Sequence, residues 1–115
     1  MTFSVGIHHL VELKDCDPRA INDLEGLRLA LLNAVEASGA TIITDVFHPF
    51  SPHGVTGVIV IAESHVSIHT WPELGYAALD IFTCSHKMNS QLIVDQLKAF
   101  TCSKTLEVSS YRRGP

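Results

Sequence analysis

Glu63-Ser64-His65-Val66-Ser67-Ile68-His69-Thr70-Trp71-Pro72-Glu73, followed shortly by Asp80-Ile81-Phe82-Thr83-Cys84, is where this chain concentrates its chemistry. Side chains alternate across a strand, so His65, Ser67 and His69 share one face and Val66, Ile68 and Thr70 the other. The β-branched content and Trp71-Pro72 oppose a helix. Residues 66–70 therefore read as a short strand, 71–75 as a turn, and 76–83 as the next strand.

Working outward, residues 55–62 read as a buried strand and 40–47 as a β-branched and aromatic one. Between them the His48-Pro49-Phe50-Ser51-Pro52-His53-Gly54 loop carries two prolines and a glycine. At the start, Phe3, Val5, Ile7, His9, Val11 and Leu13 alternate with mostly polar residues, Leu10 being the apolar exception; this is a first strand with two different faces. Asp17-Pro18 supplies a helix cap and a proline at the first helical position. Ile21, Leu24, Leu27, Leu31 and Val35 recur at helical spacing up to Gly39, which predicts one helix over 18–38. Ile93, Leu97 and Phe100 mark a second helix over 89–100, and 105–111 returns to alternation. The order β-α-β-β-β-β-α-β implies an α+β fold, a two-layer sandwich of a mainly antiparallel sheet with two helices on one face. The other sheet face is left to be covered.

The chain has 115 residues, enough for one domain with one core. Hydrophobic residues make up 46% and charged residues 17% of it, with a mean hydropathy of +0.23; an apolar surface covered by a second subunit follows as an expectation, a homodimer. The net charge of −4, with no basic run before Arg112-Arg113, speaks against nucleic acid. Residues 1–63 carry three basic and eight acidic side chains, and 64–115 five basic and four acidic, a bias that favours a cationic small substrate no more than it does a solvated surface. The longest apolar run, residues 58–62, is far too short for a membrane span, and the N-terminus has no charged and apolar signal pattern, so a cytoplasmic protein without membrane contact is expected. Three cysteines without Cys-x-x-Cys spacing read as free thiols.

Two chemistries can be weighed on residues alone. His65 and His69 resemble a metal-binding pair, but four residues of strand span about 13 Å, too far for two ligands of one ion, so no metal is expected. Cys84 and His69 could form a nucleophile and base, but neither is followed by a strand-to-helix turn, and no Gly-x-Ser-x-Gly elbow occurs. A cysteine at a strand end is more often a small buried hydrophobe.

A resemblance changes that balance. Glu63-Ser64-His65, Ile68-His69-Thr70-Trp71-Pro72-Glu73, Gly75-Tyr76-Ala77-Ala78 and Asp80-Ile81-Phe82-Thr83-Cys84 stand in order with Ser38-Gly39-Ala40-Thr41-Ile42 and Phe47-His48-x-Phe50. Together they closely resemble the pyruvoyl-dependent S-adenosylmethionine decarboxylases of the short prokaryotic type, over most of the chain. The resemblance implies that the Ser64 hydroxyl attacks the Glu63 carbonyl and that the resulting ester undergoes β-elimination. The chain then separates into 1–63 (the β chain) and 64–115 (the α chain), which begins with a pyruvoyl cofactor made from Ser64. That carbonyl condenses with the substrate amine and draws off electrons as carbon dioxide leaves.

By the same resemblance His69 carries the proton for elimination and Cys84 donates the proton that completes decarboxylation, tasks suited to an imidazole and to a mostly protonated thiol. Glu73 binds the ribose hydroxyls of S-adenosylmethionine and Phe50 stacks on adenine, while Glu12 on the first strand is a weaker substrate contact. Where the family often has serine this chain has Thr56, which keeps the hydroxyl that assists processing. No second aromatic is evident on the first strand. The implied activity is decarboxylation of S-adenosylmethionine to the aminopropyl donor of spermidine and polyamine synthesis. Two alternatives are a member of the family acting on arginine or ornithine and a non-enzymatic ligand-sensing module.

Overall fold

A computed structural model describes residues 5–115 of the chain; Phe3, assigned to the first strand from its alternation, lies outside the described residues. Six strands, β1 (Gly6–Lys14), β2 (Ile42–Pro49), β3 (Val55–Ile61), β4 (Ser64–Trp71), β5 (Tyr76–Thr83) and β6 (Thr105–Arg113), form one sheet in the order β2-β3-β4-β5-β1-β6. All five pairings are antiparallel. The expected two-layer α+β architecture is present, and β3-β4-β5 form the meander read from the central stretch.

Alternation decides the two faces of the sheet. Val66, Ile68 and Thr70 of β4 are buried beside Ile59 and Ile61 of β3 and Leu79 and Ile81 of β5. Against this side pack Leu27, Leu31 and Val35 of α2 (Leu24–Ala37) and Ile93 and Leu97 of α3 (Ser90–Thr101), all fully buried. The other face carries Thr56, Val58 and Val60 of β3, His65, Ser67 and His69 of β4 and Tyr76, Asp80 and Phe82 of β5, with no helix over it among the described residues.

The single helix expected over 18–38 is two. α1 (Pro18–Ile21) ends at Asn22, and Asp23, in extended conformation, caps α2 by accepting a hydrogen bond from the Gly26 amide at 3.1 Å. A second aspartate cap six residues after Asp17 competes with helix continuation, because its carboxylate satisfies an amide at the start of a new helix. The periodicity of Ile21 and Leu27 survives the break because both side chains still reach the core. Gly39 closes α2 at φ +96°, the left-handed conformation expected of it. The turn after β4 is a short 3-10 segment, Pro72–Leu74, which Gly75 ends at φ +60°.

Candidate active site

β3 and β4 are joined by two residues, Ala62 and Glu63, with Ile61 opposite Ser64. Tight two-residue hairpins normally place positive φ on the turn residues themselves, which is why they favour Gly and Asn. Here Ala62 and Glu63 carry no positive φ, and Ser64, the first residue of β4, takes φ +146°. That region is costly for a residue with a side chain and stores strain at the Glu63-Ser64 bond. The Glu63 carbonyl accepts a hydrogen bond from the Cys84 amide at 3.0 Å, so the residue after β5 is held against the same peptide. Ser64 also lies opposite Thr83 in the register with β5. The Cys84 thiol is exposed, beside a depression of about 250 Å³ lined by Gly6, Ile7, Thr83, His86 and Arg112. A strained peptide, an adjacent hydroxyl and an N–H on the carbonyl oxygen form an arrangement suited to acyl transfer, in which the amide stabilises charge developing on that oxygen.

The remaining residues gather at the other end of β4. His69 pairs with Thr56 across β3, and Thr56 Oγ1 lies 3.0 Å from His69 Nδ1. Both face a cleft of about 350 Å³ that is also lined by Phe50, His53, Trp71 and Glu73. Phe50 is half exposed, and its ring meets His48 edge-on at 4.8 Å. The loop is held by the Phe50 amide on Gly54 O and by the Gly54 amide on Asn22 Oδ1. Glu73 projects from the 3-10 segment, and His53 Nε2 lies 3.1 Å from its Oε1.

Glu12 belongs with this second group through its register: Thr56, His69, Ala78 and Glu12 are consecutive partners across four strands. Its carboxylate accepts a short hydrogen bond from the Tyr76 hydroxyl, and Tyr76 stacks on Trp71 at 5.3 Å. Removal from water, then the hydrogen bond to Glu12, push the Tyr76 phenol up to about 12. Sequence reading passed over His53, Trp71 and Tyr76. Tyr76 had a visible signal as the first residue of the strand after the turn, whereas Trp71 was read as part of the turn and is the last residue of β4; the His53–Glu73 contact joins positions twenty apart and had none.

The expected site residues thus form two groups, Glu63, Ser64 and Cys84 at one end of β4 and Thr56, His69, Phe50, Glu73 and Glu12 at the other. Along a strand the five steps from Ser64 to His69 span about 17 Å. The two groups do not meet within one chain.

A family model described as S-adenosylmethionine decarboxylase matches residues 7–114. This chain belongs to the S-adenosylmethionine decarboxylase family. It is 46% identical over 110 residues to a protein of Methanococcus maripaludis named S-adenosylmethionine decarboxylase proenzyme, covering 96% of this chain and 90% of that one. A protein of the same name from Thermodesulfovibrio yellowstonii is 43% identical over 113 residues, covering 97% and 83%. Among solved structures, the adenosylmethionine decarboxylase from Aquifex aeolicus VF5 superimposes with a TM-score of 0.90 at 34% identity, covering 99% of this chain and 94% of that one. The antiparallel α+β sandwich is therefore the fold of this family. Among the described residues, no helix is long and apolar enough to cross a membrane.

Proposed function

We propose that this chain is a proenzyme that cuts itself at Glu63-Ser64 and then decarboxylates S-adenosylmethionine, supplying the aminopropyl donor for polyamine synthesis. The observation that carries the reading is the Glu63-Ser64 peptide itself, strained at Ser64 and held at its carbonyl by the Cys84 amide. Self-cleavage yields residues 1–63 and 64–115. In its first step the Ser64 Oγ–C bond forms to the Glu63 carbonyl carbon, the C–N bond breaks, and the hydroxyl proton passes to the released amine. The negative oxygen that arises midway points at the Cys84 amide.

The residues present fit a pyruvoyl group at position 64. Ser64 opens a strand after the tight turn, so release from Glu63 relieves its φ without unpairing β4 from β5. When formed, the group supplies the electron sink for loss of carbon dioxide from an α-amino acid. The exposed Cys84 thiol holds the proton destined for the substrate α-carbon. His69, oriented through Nδ1 by Thr56, moves a proton during processing. Phe50 offers its ring to adenine, and Glu73 offers carboxylate oxygens to the ribose hydroxyls. Their presence in one cleft favours a nucleoside-bearing substrate over arginine or ornithine.

Ser64 and His69 are too far apart to share a site in one chain, which supports an active site formed between two chains. A homodimer that packs the open sheet faces together about a two-fold axis sets the Ser64 and Cys84 end of one protomer against the His69 and Glu73 end of its partner. That face exposes Val46, Val60, Trp71 and Tyr111 by 40–67%. It also carries His8, whose Nε2 is buried without a hydrogen-bond partner among the described residues and is open to one from a second layer.

The test is intact mass of the purified protein together with carbon dioxide release from S-adenosylmethionine, arginine and ornithine. Two fragments meeting at Glu63-Ser64, an uncut Ser64→Ala variant and turnover of S-adenosylmethionine alone are expected. A wild-type chain that stays whole refutes the reading.

A further inference from the structure

The turn that carries the scissile bond is fastened from outside, and the fastening includes the side chain of Glu63. Thr41, just before β2, makes two contacts with it. Its carbonyl accepts from the Ala62 amide at 2.9 Å, and its amide donates to Glu63 Oε1 at 3.0 Å. With the Cys84 amide on the Glu63 carbonyl, the dipeptide Ala62-Glu63 is tied on one side to the residue leading into β2 and on the other to the residue leaving β5. Only the Glu63 latch to Thr41 depends on side-chain identity.

We infer that Glu63 is the positioning residue of self-cleavage, its carboxylate latching the turn to the Thr41 amide so that the strain stays on Ser64. The argument runs from the backbone. A two-residue turn without Gly or Asn has an easy way to relax: shift the turn residues and return the first residue of β4 to extended geometry. Relaxation requires Glu63 to rotate, and rotation breaks its bond to Thr41. While the latch holds, Ser64 keeps φ +146° and the Glu63 carbonyl stays on the Cys84 amide. The carboxylate touches none of the atoms that react, so its effect is on the population of the reactive geometry. Hydrogen bonding explains the residue type: the latch needs an acceptor at the reach of a glutamate, and charge is secondary.

The inference rests on the reading of Glu63-Ser64 as the cleaved bond. It is tested by following self-cleavage of full-length wild type, Glu63→Gln, Glu63→Asp and Glu63→Ala by denaturing gel, with hydroxylamine added to aliquots to cut any accumulated ester. Thermal melts of the same substitutions in an uncleavable Ser64→Ala background check that the fold is kept. Glu63→Gln retains the acceptor and the reach and should cleave within about threefold of wild type. Glu63→Asp keeps the charge one methylene short and, like Glu63→Ala, should slow by about tenfold or more, the rate equivalent of about 1.4 kcal/mol. Neither slow variant should build up hydroxylamine-sensitive chain, because the step before the ester is the one affected. Alanine cleaving at the wild-type rate, glutamine as slow as alanine, or ester accumulating in the alanine variant would each overturn the latch. A wild-type chain that never cleaves rejects the underlying reading instead, so the two failures are distinct.

Discussion

Ser64→Ala and His69→Ala, each inactive alone, should restore activity when combined. Five strand steps from one to the other set the two residues about 17 Å apart along β4, against the 3 Å or so over which a proton is handed between heavy atoms. If each site takes its serine from one chain and its histidine from the partner, a mixed dimer has one site with both residues wild type and one with neither. Random pairing of equal amounts makes half the dimers mixed, so about a quarter of all sites are intact. Co-expressed with distinguishable tags, the pair should therefore show self-cleavage confined to the His69→Ala chain and about a quarter of wild-type decarboxylation per site. Tandem affinity purification of the mixed dimer should raise that to about half. Cleavage of the His69→Ala chain by itself, or an inactive mixed dimer recovered in good yield, refutes the two-chain site.

Three further outcomes follow from single contacts. Cys84→Ala should still cleave, because the Cys84 amide on Glu63 is retained, yet lose most turnovers and inactivate by transamination, in which the substrate's amino nitrogen would stay at position 64 and the substrate would leave as an aldehyde after adding water; equal turnover numbers and an unmodified α chain by mass would remove the thiol from the chemistry. In Tyr111→Phe protein the remaining Tyr76 phenolate absorbance should rise near pH 12 rather than 10, and Glu12→Gln should bring it down; because the folded value is raised, the stability tied to the neutral phenol is complete below pH 10 and is lost between 10 and about 12, and a midpoint at 10 with Glu12 intact contradicts the contact. Gly57→Ala would put a methyl 2.2 Å from the Phe47 ring and should cost about 1–3 kcal/mol in chemical denaturation, while an unchanged midpoint would mean the ring moves freely aside.

The sheet was legible because one face is buried and the period of two is strong there: β3, β4 and β5 follow from residues 55–83, and 76–83 matched its strand residue for residue. The edges were harder. β4 was read as 66–70 but runs Ser64–Trp71, since Ser64 and His65 look like turn residues until the two-residue connection is known. β2 was read as 40–47 but begins at Ile42 and continues to Pro49, where a proline at an edge strand gives up an amide that faces no partner. The break at Asn22-Asp23 was missed because hydrophobic spacing weighs what is buried, and a cap acts on the backbone.

The sequence named candidate residues by type but not where the fold would put them. Thr56 and His69, thirteen positions apart, do meet, because a hairpin with a short connection makes such pairs neighbours. Ser64 and His69, only five apart, do not. The same strand arithmetic that removed His65 and His69 as ligands of one metal ion applies to Ser64 and His69, and adding one more residue only lengthens the gap. Closeness along a chain is a poor guide to closeness in a sheet, where the near neighbour lies across the ladder and not along it. On the proposed roles of Ser64 and His69, a strand with its nucleophile at one end and its proton carrier at the other would make a complete site by meeting a second strand running the opposite way. The uncovered face of this sheet, with β4 near its middle, is where a second copy can provide one.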